Sequence, residues 1–538
     1  MTKTSYDEIP YTKYVHQQTV PDSLATFATL LGLQPPPVEH CRVLELGCAS
    51  GVNTMAMAML TPHSEFIGID ASIEQIKEGQ SHSRQLGLTN VSFQHLNIMD
   101  LTPEFGQFDY IIVHGVFSWV PTAVREQILY ICRHNLQPNG IAYISYNISP
   151  GWDLNNALRK MMLYHTRQID SHQEKLQHSK DLLRFFKGEL KEKFDSYSLF
   201  LRKELETVSE LEDNYLFHEY LEDHNDPLFF HDFIEWATRH GLQYVGDTRS
   251  PFSAFEELSN PNSQFKLNVV ETEQYLDFLR NNCFRETVLC QQEQTVNRQL
   301  SPHTIDQMYI AAPLKPTAPN LLSATTITPQ PAMAHLTQLE KFDNLMGETV
   351  ISVASPLLKA VCLCLGEVWP QTLHFSELMQ RVSKLLQRVL TTEAYEQWMS
   401  TDHIDEVKIT LIEFFLKKIV ELHVYPPQFT LTLSERPLAN PLARLHSEDY
   451  KEVPNLRCET FPLNFESRLL LKYLDGTHDR QALSNRVLQS IKEGKLMLYQ
   501  DDTSKHIDDL SQDELQTFLD KYVDNILQNL ARKAFFVA

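Results

Sequence analysis

The chain has 538 residues, enough for two to four domains that each bury a full core. Its 69 acidic and 47 basic residues leave a formal charge of −22, which argues against a nucleic-acid partner. The eight cysteines form no CxxC pair, no stretch reaches bilayer-spanning length and the first residues lack an apolar signal core, so the expectation is a cytoplasmic protein, not membrane-embedded, with neither a disulfide framework nor a metal site.

Residues 1–36 precede the first strand. Tyr6, Tyr11 and Tyr14 crowd its start, and a helix is predicted from about Asp22 to Leu33, ended by Pro35-Pro36-Pro37. The tyrosines are expected to cap a ligand of the fold that follows; the alternative is plain surface packing.

Arg42 to Gly51 reads as a short buried strand, a turn with small residues at Gly47, Ala49 and Gly51, and the start of a helix that runs through Asn53 to Leu60. Glu45 lies near the strand's end, where a diphosphate would not favour a carboxylate but a ligand with an ammonium group and hydroxyls would. Glu65 to Asp70 is a second strand, again ending in an acid, followed by Ala71. An acid about 20 residues after a glycine turn is the ribose-hydroxyl position of a Rossmann-like sheet. Together these features read as the S-adenosylmethionine (SAM) site of a class I methyltransferase; the alternative is a βαβ unit with no ligand.

The alternation continues with helix Ser72 to Leu86, strand Val91 to Leu96, strand Phe108 to His114, helix Pro121 to Leu136, a turn at Asn139-Gly140 and strand Ile141 to Tyr146. Such a series predicts a parallel doubly wound sheet with its ligand at the carboxyl ends of the strands. In that frame Asp70 accepts the ribose hydroxyls, and Asn97 with the Ile98 backbone reads the adenine edge. Glu45 and the backbone near Gly47 and His114 hold the methionine end, and Ala49, Gly51, Asn53 and Ala71 complete the cofactor set.

Long helical patterns follow, Asp153 to Ile169 and Glu174 to about Glu212, with Leu182, Phe185, Phe186, Leu190 and Phe194 expected as core. After a helix ending at His240-Gly241, Leu242 to Asp247 and Phe284 to Cys290 are candidates for the sixth and seventh strands. Prolines from 302 to 331 mark a linker. Further on, a helix is expected over Asp405 to His423 and a strand over Val424 to Leu433. The division is an N-terminal cofactor-capping segment at 1–36, a SAM-binding core at 37–170, and a helical insertion or regulatory region at 171–295. A Pro-rich linker at 296–339 and a C-terminal domain at 340–538 complete it. The fold class is α/β: a seven-stranded, Rossmann-like class I methyltransferase domain with a helical insertion and a separate, mainly helical or α+β C-terminal domain.

Several stretches carry a family resemblance: Tyr6 to Tyr11, Cys41 to Gly51, Phe66 to Asp70, His114 to Pro121, Ser145 to Trp152, His231 to Tyr244, Arg436 to Arg444 and Leu474 to Arg480. They resemble bacterial methyltransferases that carry a methyltransferase regulatory domain, similar in layout to the rickettsial protein lysine methyltransferases that modify outer-membrane protein B. The resemblance implies transfer of methyl groups from SAM, leaving S-adenosylhomocysteine (AdoHcy), to lysine ε-amines of a protein substrate, with an outer-membrane protein as one candidate. It also implies an acid where this chain has Asn97. Fold and cofactor transfer better than substrate between relatives.

The residue chemistry is compatible. His114-Gly-Val-Phe-Ser-Trp119 follows the fourth strand where an Asn/Asp-Pro-Pro-aromatic signature would mark amide or base amines. Neutralising a lysine with pKa about 10.4 at pH 7 costs about 4–5 kcal/mol. An aromatic channel supplies that by desolvation, and Phe117, Trp119, Tyr146 and Trp152 are the expected walls. A small-molecule methyltransferase and a non-catalytic SAM-binding interaction protein are the alternatives. A homodimer through the middle or C-terminal region is open.

Overall fold

The computed structural model describes residues 5–9, 14–249, 267–317, 337–344, 347–496 and 511–538. The chain divides into two compact units. One combines Met1–Tyr14 with Leu31–Asn297; the other combines Val15–Leu30 with Arg298–Ala538.

The first unit is built on seven strands: β1 Arg42–Leu46, β2 Glu65–Asp70, β3 Val91–His95, β4 Phe108–Val113, β5 Leu136–Asn147, β6 Leu242–Asp247 and β7 Phe284–Gln291. Their spatial order is 3-2-1-4-5-7-6. Strands β1 to β5 pair in parallel, with Leu44 opposite both Ile67 of β2 and Ile111 of β4. β7 runs antiparallel between β5 and β6, so Tyr146 faces Arg285 and Asn147 faces Phe284. That reversal brings the beginning of β7 to the same edge as the ends of β1, β2, β4 and β5. The expected turn at Asn139-Gly140 is an irregularity inside β5, where pairing to β4 jumps from Leu136 to Ile141.

Helices cover the sheet because each carries one apolar face. We label α1 Ser5–Glu8, α2 Pro21–Leu30, α3 Val52–Leu60, α4 Ile73–Gln85 and α5 Thr122–His134. The second group is α6 Gly151–Thr166, α7 His172–Glu189, α8 Ser196–Ser209, α9 Asp213–Tyr220, α10 Phe230–Arg239 and α11 Val269–Arg280. Ile128, Leu129 and Cys132 of α5 and Phe230, Phe233 and Ala237 of α10 close over Leu44, Ile111, Ala142 and Ile144. The stretch expected as one long helix from Glu174 to about Glu212 is two helices, α7 and α8. Asp195 ends the continuity by capping α8, its carboxylate accepting from the Ser198 amide at 3.1 Å. Of the expected stripe, Leu190 is buried and Leu182 and Phe186 pack against the same core, whereas Phe185 and Phe194 are exposed; Leu176 and Leu183 complete the buried line against Leu158, Met162, Leu205 and Phe217.

The second unit begins with α2. The Asp22 carboxylate accepts from the Tyr425 amide and pairs with His423, both at 2.7 Å, and the Thr26 hydroxyl accepts from the Val424 amide at 2.9 Å. Residues expected in the linker include strands β8 Tyr309–Ala311 and β9 Lys315–Pro316. β8 lies between Leu373–His374 and Glu421–His423; β9 pairs with Glu340–Asp343. Proline-rich composition hid Tyr309-Ile310-Ala311, whose Ile310 and Ala311 are fully buried. Pro319, Pro329 and Pro331 lie outside the described residues.

The helix expected over 405–423 runs Thr401–Leu416 and stops where Lys418 takes a φ of 56°; Glu421–His423 is a strand. Residues 424–433 form no strand, consistent with Pro426 and Pro427 lacking amide donors. At the C-terminus, helices Phe465–Leu471, Arg480–Lys492 and Gln512–Arg532 share a core beside a two-stranded hairpin at 452–462. No helix among the described residues is long and apolar enough to cross a membrane, and all eight cysteines are free.

Candidate active site

The loop between β1 and α3 is fixed from beneath. The amides of Gly47 and Cys48 both donate to the Ile69 carbonyl at 2.9 and 3.0 Å, and Gly51 donates to Cys48 at 2.8 Å. Gly47, Ala49 and Gly51 all have positive φ, 72°, 51° and 72°. A Cβ on Gly47 would lie 2.5 Å from Val116, and one on Gly51 would lie 2.1 Å from the Phe93 ring. Glycine is required at both places.

Two carboxylates brace this loop. Asp70 accepts from the Ala49 amide at 2.9 Å and from the Ser72 amide at 2.8 Å. Glu45 is buried and accepts from the Asn53 side-chain Nδ2 at 2.9 Å and from the Thr54 hydroxyl. Burial pushes the Glu45 carboxyl above its usual range, against the pull of those two donors. The expected contact of Glu45 and Asn53 with a ligand is therefore modified: each first serves the other, locking the first turn of α3 to β1.

The loop's chemistry can be tested against possible ligands. With the amides of Gly47, Cys48, Ala49 and Gly51 engaged inward and two carboxylates beneath them, it does not offer the ring of free N–H donors that a diphosphate needs. Carboxylates and carbonyls suit hydroxyls and an ammonium group, which SAM carries.

The rest of the edge lies along the strand ends. Ala71 is exposed, and its carbonyl meets His95 Nε2 at 2.9 Å. Asn97 is exposed, and its side-chain oxygen accepts from the Met99 amide at 2.9 Å, capping the turn that holds Ile98. That oxygen, expected to read an adenine amino group, is thus partly engaged. His114 Nδ1 lies 3.0 Å from the Tyr143 hydroxyl, and its ring packs 5.9 Å from Tyr143 and 6.2 Å edge-on from Phe284. The Tyr6 side chain and all of Tyr11 lie outside the described residues.

The four expected acceptor walls separate. Phe117 is fully buried and meets Phe233 at 5.2 Å and Trp236 at 5.7 Å. Tyr146 is equally buried, stacked 4.0 Å from Phe233 with its hydroxyl 2.9 Å from that of Thr287. Both belong to the core between sheet and α10, a correction to the expectation that they line a channel. Trp119 is half-buried on the loop after β4. Arg125 holds that loop, donating to the carbonyls of Ser118 and Val120 and to Asp226. Trp152 is 7% exposed, packs 6.1 Å from Tyr220, and its indole N–H has no hydrogen-bond partner.

Residues not singled out from the sequence complete this region. Ile148 donates to the Cys283 carbonyl at 3.0 Å, and Asp226 donates to Ser118 at 3.1 Å. Helix α9 carries Tyr215, Glu219 and Tyr220, and Tyr220 packs on Trp152. Burial, then the charge of Glu219, pushes the Tyr215 phenol up to about 12, with Cys283 and Tyr14 contributing. Burial and Glu219 likewise raise the Tyr220 phenol, with Cys283 again contributing. Only the Tyr14 member of this group was signalled, by the tyrosine cluster; the others stand far apart in the chain. Among the described residues no group of three or more His, Cys, Asp or Glu side chains could hold a metal ion.

Comparison with known proteins agrees with this architecture. Residues 37–204 match the family described as "Methyltransferase domain", 212–291 the "Predicted methyltransferase regulatory domain", and 435–535 the "PKMT, C-terminal winged helix domain". An uncharacterized protein of Rickettsia prowazekii is 34% identical over 511 residues, covering 92% of this chain and 87% of the relative. A second from the same organism is 42% identical over 237 residues, 44% of this chain and 95% of the relative. The structure of PKMT2 from Rickettsia typhi superimposes with a TM-score of 0.83 at 27% identity, covering 98% of this chain and 100% of that one. The same protein in complex with AdoHcy gives 0.82 at 28% identity over the same shares.

Proposed function

The chain belongs to the bacterial class I SAM-dependent methyltransferases with a methyltransferase regulatory domain, and from that premise we propose that it methylates lysine side chains of a protein substrate. The observation that carries the lysine reading is the match to PKMT2 along 98% of the chain, including the PKMT winged-helix region, and not only along the SAM-binding domain.

SAM, when bound, supplies an activated methyl group on a sulfonium and leaves as AdoHcy. Asp70 would take the ribose hydroxyls, its position being set by the Ala49 and Ser72 amides it already holds. Carbonyls around Gly47 and His114 would take the ammonium end, and the Asn97–Ile98 turn the adenine edge. Gly47 and Gly51 keep the loop close-packed against Val116 and Phe93. The acceptor needs a neutral nitrogen aimed at the methyl carbon. No histidine or cysteine is required for this: enclosure by aromatic rings lowers a lysine pKa by desolvation, and positioning supplies the main rate gain. Trp119 and Trp152 are the expected aromatic residues that remain at that edge. The charge of −22 suits a basic segment as substrate.

The test is incubation with radiolabelled SAM and a bacterial envelope-plus-lysate extract, beside an Asp70→Ala control. A labelled protein band that is absent from the control and yields methyl-lysine on hydrolysis supports the reading. Label confined to the small-molecule fraction would replace it with a metabolite methyltransferase.

A further inference from the structure

We propose that the segment matched as a regulatory domain fastens the N-terminal segment over the cofactor. His218 and Glu222 of α9 are the positioning residues: they hold α1 across the cofactor edge, and the clasp is closed only while His218 carries two ring protons. The inference goes beyond the lysine reading and holds whichever acceptor is methylated.

The place of α1 follows from its neighbours. On one side it packs against α4, whose N-cap Ser72 donates its amide to Asp70. On the other side Ile9, just after α1, packs on the apolar cluster that α6 to α9 share, and α6 starts shortly after β5 ends. In the sheet, β1 and β4 lie between β2 and β5. The segment therefore bridges the two flanks of the edge at which Asp70, Gly47 and His114 stand, the edge that would hold SAM.

The clasp itself is explicit in its hydrogen bonds. His218 is buried, and each of its ring nitrogens faces an oxygen: Nδ1 lies 2.8 Å from Glu222 Oε1, and Nε2 lies 2.6 Å from the Ile9 carbonyl. A carbonyl cannot donate, and Glu222 Oε1 already accepts from the Ser5 hydroxyl at 2.7 Å. Both nitrogens therefore donate, which only the imidazolium form does. A neutral imidazole turns a lone pair toward one of the two oxygens. Either the bond to Ile9 is then lost, or Glu222, which holds Ser5, is repelled. A second histidine repeats the arrangement. His172 Nδ1, at the start of α7, lies 2.8 Å from Glu8 Oε2, and the Phe217 ring packs edge-on against both imidazoles, 5.2 Å from His172 and 5.4 Å from His218. Besides Glu222 on its own helix, the charged groups that the packed elements bring to this junction are Glu8 of α1, His172 of α7 and Arg159 of α6. The Arg159 guanidinium donates to the carbonyls of Glu222 and Asp223 and so fixes the end of α9. His218 and Glu222 fall within 212–291. The regulatory segment thus sets how firmly the N-terminal segment closes over the cofactor, and a proton is the closing signal.

The test is AdoHcy affinity by calorimetry from about pH 5.5 to about pH 8, the span over which imidazoles ordinarily change charge. It compares wild type with His218→Gln and with the double variant Ser5→Ala/Glu8→Gln. Wild-type affinity is expected to fall at least threefold from the acid to the alkaline end. The amide of His218→Gln cannot donate in two opposed directions, so this variant is expected to bind at least threefold more weakly at the acid end and to lose most of the pH dependence. His95 and His114 stand at the same edge, so the decisive comparison is with His218→Gln and not the wild-type slope alone. The double variant leaves α6 and α9 untouched and is expected to weaken AdoHcy binding at least threefold at the acid end with an unchanged Tm. Without cofactor, amide exchange over residues 5–9, scaled to an unstructured peptide at the same pH, is expected to be slower at the acid end in wild type. In the double variant it is expected to be equally fast at both ends. Wild-type affinity that does not change with pH, an undiminished pH dependence in His218→Gln, or variants that bind like wild type at the acid end overturn the inference, while wild-type binding itself keeps the cofactor assignment standing. If His218→Gln does not fold, the affinity and exchange of the double variant decide.

Discussion

At the scale of single residues, the site depends on carboxylates that perform two tasks. Asp70 holds two backbone amides and, in the reading above, two hydroxyls of the cofactor. Charge-assisted hydrogen bonds of this kind contribute about 1.5–3 kcal/mol each. Asp70→Ala is therefore expected to weaken AdoHcy binding at least tenfold in calorimetry; wild-type affinity would remove Asp70 from the site. Asp70, Gly47 and Gly51 were legible in the sequence because their spacing is local and their residue types are demanded by the backbone. Glu45 was legible as an acid near the end of β1, but its pairing with Asn53 and Thr54 was not, because eight- and nine-residue separations cross a strand, a turn and a helix start. Phe117 and Tyr146 were misread for a different reason. Tyr146 lies on a strand buried on both faces, whose pattern does not tell a core aromatic from one that faces a cleft, and Phe117 lies on the turn after β4, where no periodicity shows that it folds back onto Phe233 and Trp236.

At the scale of elements, the last two strands are joined to α11 by a buried charge cluster. Arg285 of β7 pairs with Asp277 at 2.9 Å and Glu273 at 2.8 Å, both on α11, and lies 3.7 Å from Asp247 of β6. Its guanidinium also stacks 4.0 Å from Phe230 of α10. Burial pushes the carboxyls of Glu273 and Asp277 up, opposed by Arg285. Removing Arg285 would leave the Glu273, Asp277 and Asp247 carboxylates buried without its guanidinium. Arg285→Met is expected to destabilise the first unit by on the order of 3–5 kcal/mol in denaturant unfolding. A cost under about 1 kcal/mol would show that the acids neutralise themselves freely. The existence of β6 and β7 was legible from their apolar runs. Their antiparallel order, and hence the arrival of Phe284 at the site, follows from topology that a pattern of hydrophobicity does not encode.

At the scale of the whole molecule, α2 is the element whose assignment changed most. The sequence placed residues 15–30 with the cofactor-capping segment; the fold packs them into the second unit. Two consequences can be measured. Burial opposes a charge on His423, but the carboxylates of Asp22 and Glu421 outweigh it and push the imidazole up to about 9 from 6.5. The folded form therefore holds this proton more tightly than the unfolded chain. Its stabilisation is complete below about pH 6.5 and is lost as pH rises through about 9, a change on the order of 3 kcal/mol. Urea unfolding of the second unit should weaken over that window, and His423→Gln should flatten that part of the profile. Separately, a fragment of residues 298–538 lacks Asp22 and Thr26. Adding a peptide of residues 15–30 at about 100 times its dissociation constant should stabilise the fragment by about 2.7 kcal/mol, read as a higher Tm. No change in Tm would mean that α2 adds nothing to this unit.

The pairing of Asp22 with His423 spans 401 residues. On a ribosome adding ~5–20 residues per second, α2 leaves the exit tunnel ~20–80 s before its partner strand is made. During that interval residues 31–297 can fold, but Asp22 has no His423 to pair with, and Leu30 lacks Ile310, Leu357 and Leu422 of the buried cluster it joins. Synthesis thus holds α2 without its partner strand until His423 has been added. Release of a truncated product before His423 would leave that helix exposed for good, a feature by which a chaperone or protease could tell unfinished copies from finished ones.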